Sequence, residues 1–190
     1  VADVCTKSAQ RFSEAGATVE VIEPGWQDPF KPWATMFYGS IAATLGSALE
    51  KNGDALDPGL RKSVEKGLTI SAAEYVKALM GRNAFWQTVH RLFENYDLLL
   101  TPAVAVPPFP VGLNIPDPLP GHDRWKTSYT PFSYPFNMTG QPACSVPCGL
   151  IREEDDGAAC LPIGLQIVGR RFDDVTVLRA ARAWEQIQPW

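Results

Sequence analysis

Nine prolines lie between Pro102 and Pro135, and this one stretch limits what the rest of the chain can be. Proline lacks the backbone N–H that helix interiors and inner strands need, so no long regular element crosses the segment. Regular structure has to be built on either side of it. The same stretch carries Trp125, Tyr129, Phe132 and Tyr134, more aromatic surface than a linker needs. Two readings stay open: a structured loop that lines a pocket, or an aromatic cover over a core edge.

On the N-terminal side the periodicity is mainly helical. Val1, Cys5, Ala9 and Phe12 recur at helical spacing, Gly16 supplies a stop, and the pattern of Thr18-Val-Glu-Val-Ile22 predicts a strand. Phe37, Ile41, Leu45 and Ala48 form an apolar stripe that predicts a helix ending near Gly53. Asp57-Pro58 pairs a capping carboxylate with proline at the first helical position, and that short helix is expected to close at Gly67. Ser71-Ala-Ala-Glu74 is a capping box, followed by a long helix through Tyr75, Leu79, Trp86, Val89 and Phe93.

Strands dominate on the other side. Asp97-Leu-Leu-Leu-Thr-Pro102 predicts a short strand buried on both faces. Cys144–Leu150 and Leu161–Val168 predict an antiparallel pair joined through the acidic turn Glu153–Gly157. Asp173 or Asp174 caps a last helix with Val177, Ala181 and Trp184 on one face.

Composition narrows the function classes. At 190 residues and 45% hydrophobic content the chain can bury the core of one globular domain. A net charge of −4 without a Lys/Arg cluster gives phosphate backbones little to bind, so nucleic acid is not an expected partner. No run approaches the roughly 20 apolar residues of a membrane span, and Val1–Lys7 lacks the apolar block of a signal peptide, so no membrane partner is expected either. Cys144 and Cys148 are about 13 Å apart if extended, too far for a disulfide or a shared zinc ion. Cys5 and Cys160 have no partner legible in sequence, and His90 and His122 lack ligand spacing. Buried reduced thiols, no metal and a cytoplasmic location are the expectation.

Three segments occur in an order and spacing that resemble the amidase-signature family. They are Asp97-Leu-Leu-Leu-Thr-Pro-Ala103, then Pro135-Phe-Asn-Met-Thr-Gly-Gln-Pro-Ala-Cys-Ser-Val-Pro-Cys-Gly149, then Leu161-Pro-Ile-Gly-Leu-Gln-Ile-Val-Gly169. The resemblance implies an α/β fold: the C-terminal portion of an α/β/α architecture with a mixed β-sheet. It also implies hydrolysis of an amide C–N bond by a serine nucleophile, activated through a second serine and a lysine and assisted by glycine-rich backbone N–H donors. None of these matches a segment here, so residues 1–190 are expected to be the C-terminal part of one such domain with its catalytic part upstream. The helix that opens the chain and feeds an extended segment fits that expectation, because its partner strand would precede it.

Other candidate sites have plainer explanations. Ser63-Val-Glu-Lys66 has an acylating-enzyme spacing but lies on a short polar helix without companion motifs. His90 and Glu94 are one helical turn apart, and a surface pair accounts for them. His122-Asp123 has no nucleophile in an identifiable constellation. Asn137, Thr139, Gly140 and Gln141 suit a turn before a strand, and Gln166, an amide within an apolar strand, needs hydrogen-bond partners. Trp125, Tyr129 and Phe132 are the substrate-binding candidates, as aromatics in a loop that regular structure cannot absorb.

The functional expectation is therefore part of an amidase acting on a small-molecule amide, without metal or organic cofactor, inactive alone and able to form a homo-oligomer. Two alternatives stand beside it. One is the A-type component of a glutamyl-tRNA amidotransferase, against which Ala73-Glu-Tyr-Val-Lys-Ala-Leu79 is a sparse match to the corresponding helix. The other is a noncatalytic interaction module that keeps the scaffold.

Overall fold

The computed structural model describes residues 1–113, 130–152 and 160–189. They divide into two compact units, one formed by Val1–Pro24 with His90–Trp190 and one by Gly25–Val89.

The first unit is organised by an antiparallel sheet of β1 (Leu98–Pro102), β2 (Ala143–Arg152) and β3 (Cys160–Gly169) in the order β1-β3-β2. These strands pair antiparallel throughout, so the parallel pairing of the mixed sheet that the resemblance implies does not fall among the described residues. The β2–β3 hairpin and the short β1 strand form as their sequence patterns predict. β1 differs in one respect: its five residues are half-buried rather than buried on both faces. Among the described residues β3 is its only ladder neighbour, and an edge strand keeps part of its surface open.

One face of the sheet closes against helices. In β3, Ile163, Leu165 and Ile167 alternate onto the same side. There, with Val146 and Cys148 of β2, they meet Cys5 of α1 (Ala2–Gln10), Phe12 of the following 3₁₀ turn, and Val177, Ala180 and Trp184 of α6 (Asp174–Ile187). Trp184 is the anchor of this core. Its ring stacks on Phe12 at 5.4 Å, and its indole N–H donates to the Pro147 carbonyl at 2.8 Å, so both its apolar body and its polar edge are satisfied. Asp173 starts α6 by accepting the Thr176 N–H at 3.2 Å, as the capping pattern predicts.

Three expectations for this unit are corrected. Thr18–Ile22 has no ladder partner among the described residues; Val19 packs on the core while Val21 is 83% exposed. A strand needs an edge to pair with, and alternation alone does not supply one. Cys160 is exposed rather than buried. Cys5 does have a close neighbour: its Sγ lies 3.9 Å from Cys148 Sγ, a contact between residues 143 apart that no local pattern encodes.

In the second unit, α2 (Phe30–Asn52) and α3 (Pro58–Leu68) pack closely, and α4 (Ala72–Leu92) begins at the capping box. Asp57 accepts from the N–H groups of Gly59 and Leu60, at 2.8 and 3.0 Å. Ser71 N–H donates to the Glu74 carboxylate at 2.8 Å, while Glu74 N–H donates back to Ser71 Oγ at 3.2 Å. Gly67, expected as a stop, lies inside α3 and has another use. A Cβ built there would stand 2.1 Å from the Tyr38 carbonyl oxygen, so glycine lets two backbones approach. The buried face of α2 carries Ala34, Tyr38 and Ala42, whereas Phe37 of the predicted stripe is 42% exposed and stacks on Trp33.

Candidate functional site

The second face of the sheet is built differently. β3 alternation that sends Leu165 and Ile167 into the core sends Gln166 the other way. The ladder places Thr101, Gln166 and Ser145 side by side across β1, β3 and β2, a polar row on the face opposite the apolar core. Gly164 sits beside this row, where a Cβ would come within 2.6 Å of Ser145 Oγ.

Gln166 is 8% exposed, and an amide that deep needs partners. Its Nε2 group donates to Thr101 Oγ1 at 2.9 Å and to the Phe132 carbonyl at 2.8 Å. Gln166 thus makes structural hydrogen bonds of the kind its apolar strand calls for. Thr101, its partner across the ladder, is not among the candidates that sequence offers, since a Thr-Pro pair at a strand end reads as punctuation. Ala103 N–H donates to the Gly164 carbonyl at 2.9 Å, and Ser133 Oγ reaches the Ala103 carbonyl at 3.4 Å. Phe132, of the three substrate-binding candidates, is half-buried and held by its backbone to the middle of the sheet. Trp125 and Tyr129 lie outside the described residues, as do His122 and Asp123.

The Asn137–Gln141 motif builds the turn into β2. Thr139 ends the short helix α5 (Tyr134–Thr139), where its hydroxyl donates to the Pro135 carbonyl at 2.9 Å and bonds the Gln141 side chain. Gly140 takes the left-handed conformation, φ 77°, and its N–H donates to the Phe136 carbonyl. An open cavity of about 390 Å³ lies beside this turn, lined by residues including Asn137, Gln141, Phe172 and Asp174. No serine, threonine, cysteine, lysine or histidine is among its described lining residues, and Asp174 is its one ionisable side chain.

The remaining polar candidates among the described residues sit in local settings. Ser63 Oγ donates to the Gly59 carbonyl one turn back at 2.9 Å, while Lys66 Nζ stands 4.4 Å from the Tyr38 ring centre. His90 and Glu94 are both exposed. The Cys5 thiol is driven far above the ordinary thiol range, first by its hydrogen bond with Cys148 and then by burial. It therefore stays protonated and unreactive at neutral pH. Among the described residues no cluster of three metal-ligating side chains occurs, and no helix is long and apolar enough to cross a membrane.

Comparison with known proteins places this architecture. The chain is 34% identical over 158 residues to the A-type component of the glutamyl-tRNA(Gln) amidotransferase of Brevibacillus brevis, a match covering 78% of this chain and 30% of the relative. It is 39% identical over 116 residues to the corresponding component from Bacillus cytotoxicus, covering 60% of this chain and 21% of the relative. The chain thus spans less than a third of these curated relatives. A bacterial aryl acylamidase of the amidase-signature enzymes superposes with a TM-score of 0.78 at 26% identity, over 99% of this chain and 40% of that one. The Amidase family model matches residues 1–178, and with the sheet, the Asn-x-Thr-Gly turn and the Gln166 row in the same chain, the protein belongs to the amidase-signature family.

Proposed function

We propose that this chain is the C-terminal part of a single amidase-signature domain that, when complete, hydrolyses the C–N bond of a small-molecule amide. The nucleophilic serine, its activating serine and lysine, and the oxyanion donors are supplied by sequence upstream of Val1. Serine attack on the carbonyl expels the amine, and water then releases the acid. Each missing group contributes orders of magnitude in rate, so residues 1–190 alone are inactive. This part of the domain supplies sheet and pocket wall, with Trp125, Tyr129 and Phe132 shaping the substrate cavity. Free buried thiols at Cys5 and Cys148 fit a reducing, cytoplasmic setting, and the complete protein is a candidate homo-oligomer.

The observation that carries this reading is the family match along residues 1–178, joined to a near-complete superposition on two-fifths of an aryl acylamidase. The test is release of ammonia or amine from aliphatic and aromatic amides, comparing this chain with one extended by its native upstream sequence. Activity in the extended chain alone supports the proposal. Turnover by residues 1–190 alone would overturn it, and silence in both would turn attention to a noncatalytic module.

A second reading has its own support. The curated relatives at 34–39% identity are A-type components of glutamyl-tRNA(Gln) amidotransferases, above the 26% of the acylamidase. Amide transfer to mischarged tRNA, assayed with the other components of such an enzyme, decides between the two. The amidase reading leads because Ala73–Leu79 is a sparse match to the corresponding amidotransferase helix.

A further inference from the structure

We propose that Gln166 is a positioning residue for the substrate pocket: its side-chain amide fixes the backbone of Phe132 against the middle of the sheet. The inference rests on the amidase reading above and adds to it a residue that acts through the loop rather than on substrate.

Packing alone does not ask for glutamine at this position. Val168, the next residue on the same face, is a fully buried aliphatic, and a leucine in place of Gln166 would fill similar volume without the cost of burying an amide. What glutamine adds is a nitrogen with two donors at the end of a three-carbon reach. Both donors are used, one on Thr101 of β1 and one on the Phe132 carbonyl, so one side chain joins segments 65 and 34 residues away.

The segment so held, residues 130–133, leads into α5. Its other described ties are weaker or local: Ser133 Oγ to the Ala103 carbonyl at 3.4 Å, and Ser133 N–H to the Thr130 carbonyl within the same turn. The Gln166 bond at 2.8 Å is the shorter link from sheet to this segment. A carbonyl held there fixes where the Phe132 backbone stands against the sheet.

The test uses the protein extended with its native upstream sequence. Gln166→Glu keeps shape but replaces both donors with acceptors, Gln166→Leu removes them, and Thr101→Val removes only the β1 partner. The readouts are kcat and KM over amides whose acyl group grows from methyl to aryl, together with hydrogen exchange at Phe132 and Ser133.

Losing the Phe132 bond should raise KM for aryl amides about tenfold and speed exchange at Phe132 and Ser133 by a similar factor. kcat and the methyl amide should hold within about twofold. Thr101→Val should lower Tm and leave the KM pattern unchanged. Glutamine variants that lose only Tm, or raise KM equally for every amide, would overturn the role, as would failure of both to fold. If the unmutated extended protein cleaves no amide, the amidase reading falls and this role with it. An active parent with unchanged variants removes the Gln166 role alone.

Discussion

The two faces of the β1-β3-β2 sheet are made by the same strands and do opposite things. Toward α1 and α6, Ile163, Leu165 and Ile167 enter an apolar core closed by Trp184. Toward the other side, Thr101, Gln166 and Ser145 form a polar row whose outermost member, Ser145, is exposed. Alternation every second residue separates a face that holds the sheet together from one that presents chemistry to a loop. Substitutions on the first should therefore register as stability, and substitution of Gln166 on the second as recognition.

Trp184→Ala should give the largest effect, a loss of about 3–5 kcal/mol in chemical unfolding, because it empties the anchor of the closed face. Trp184→Phe keeps a ring on Phe12 but drops the bond to Pro147, and should cost about 1–2 kcal/mol. A native-like Trp184→Ala protein would break the contrast.

Thiol labelling sharpens it without mutation. Cys160 is exposed and should react first in the folded protein, whereas Cys5 and Cys148 should react only at the rate of global opening. Burial pushes the half-buried Cys144 thiol up, so it should label more slowly than Cys160. Rapid modification of Cys148 in the native state would mean that the core face is not closed.

On the polar face, Ser145→Ala should change stability by less than about 0.5 kcal/mol, since the side chain is exposed. A cost several times larger would show that the row is structural throughout. The smallest effect concerns acid. Hydrogen bonds from Thr176 hold the Asp173 carboxyl below its ordinary range. The folded state then binds that proton less readily than the unfolded chain. Its stabilisation is complete above about pH 4 and is lost as pH falls through the lowered value. Asp173→Asn should flatten this part of an acid-unfolding curve while keeping the cap.

What sequence made legible was local chemistry. The Ser71–Glu74 box, the Asp57 cap and the β2–β3 pair each follow from residues a few positions apart, and all form. What it left hidden depends on partners distant in the chain. Gly67 reads as a helix stop until Tyr38 is seen against it. Cys5 and Cys148 read as unrelated until the fold brings them together. The site divides the same way: the need of Gln166 for partners was legible from its apolar surroundings, while Thr101 and the Phe132 carbonyl required the ladder and loop to be in place.

The register of β2 slips by one between Pro147 and Gly149, which face the consecutive residues Gly164 and Ile163. Before the slip, even-numbered Cys144 and Val146 turn to the core; after it, odd-numbered Ile151 does, and Leu150 is left 60% exposed. Cys148 is the supernumerary residue, and Gly149 bends past Val4, whose methyl would lie 2.9 Å from any Cβ there. The hairpin can therefore change length by one residue at this joint while both ends keep their faces. Anywhere else in the strand, the same insertion or deletion would turn everything beyond it inside out.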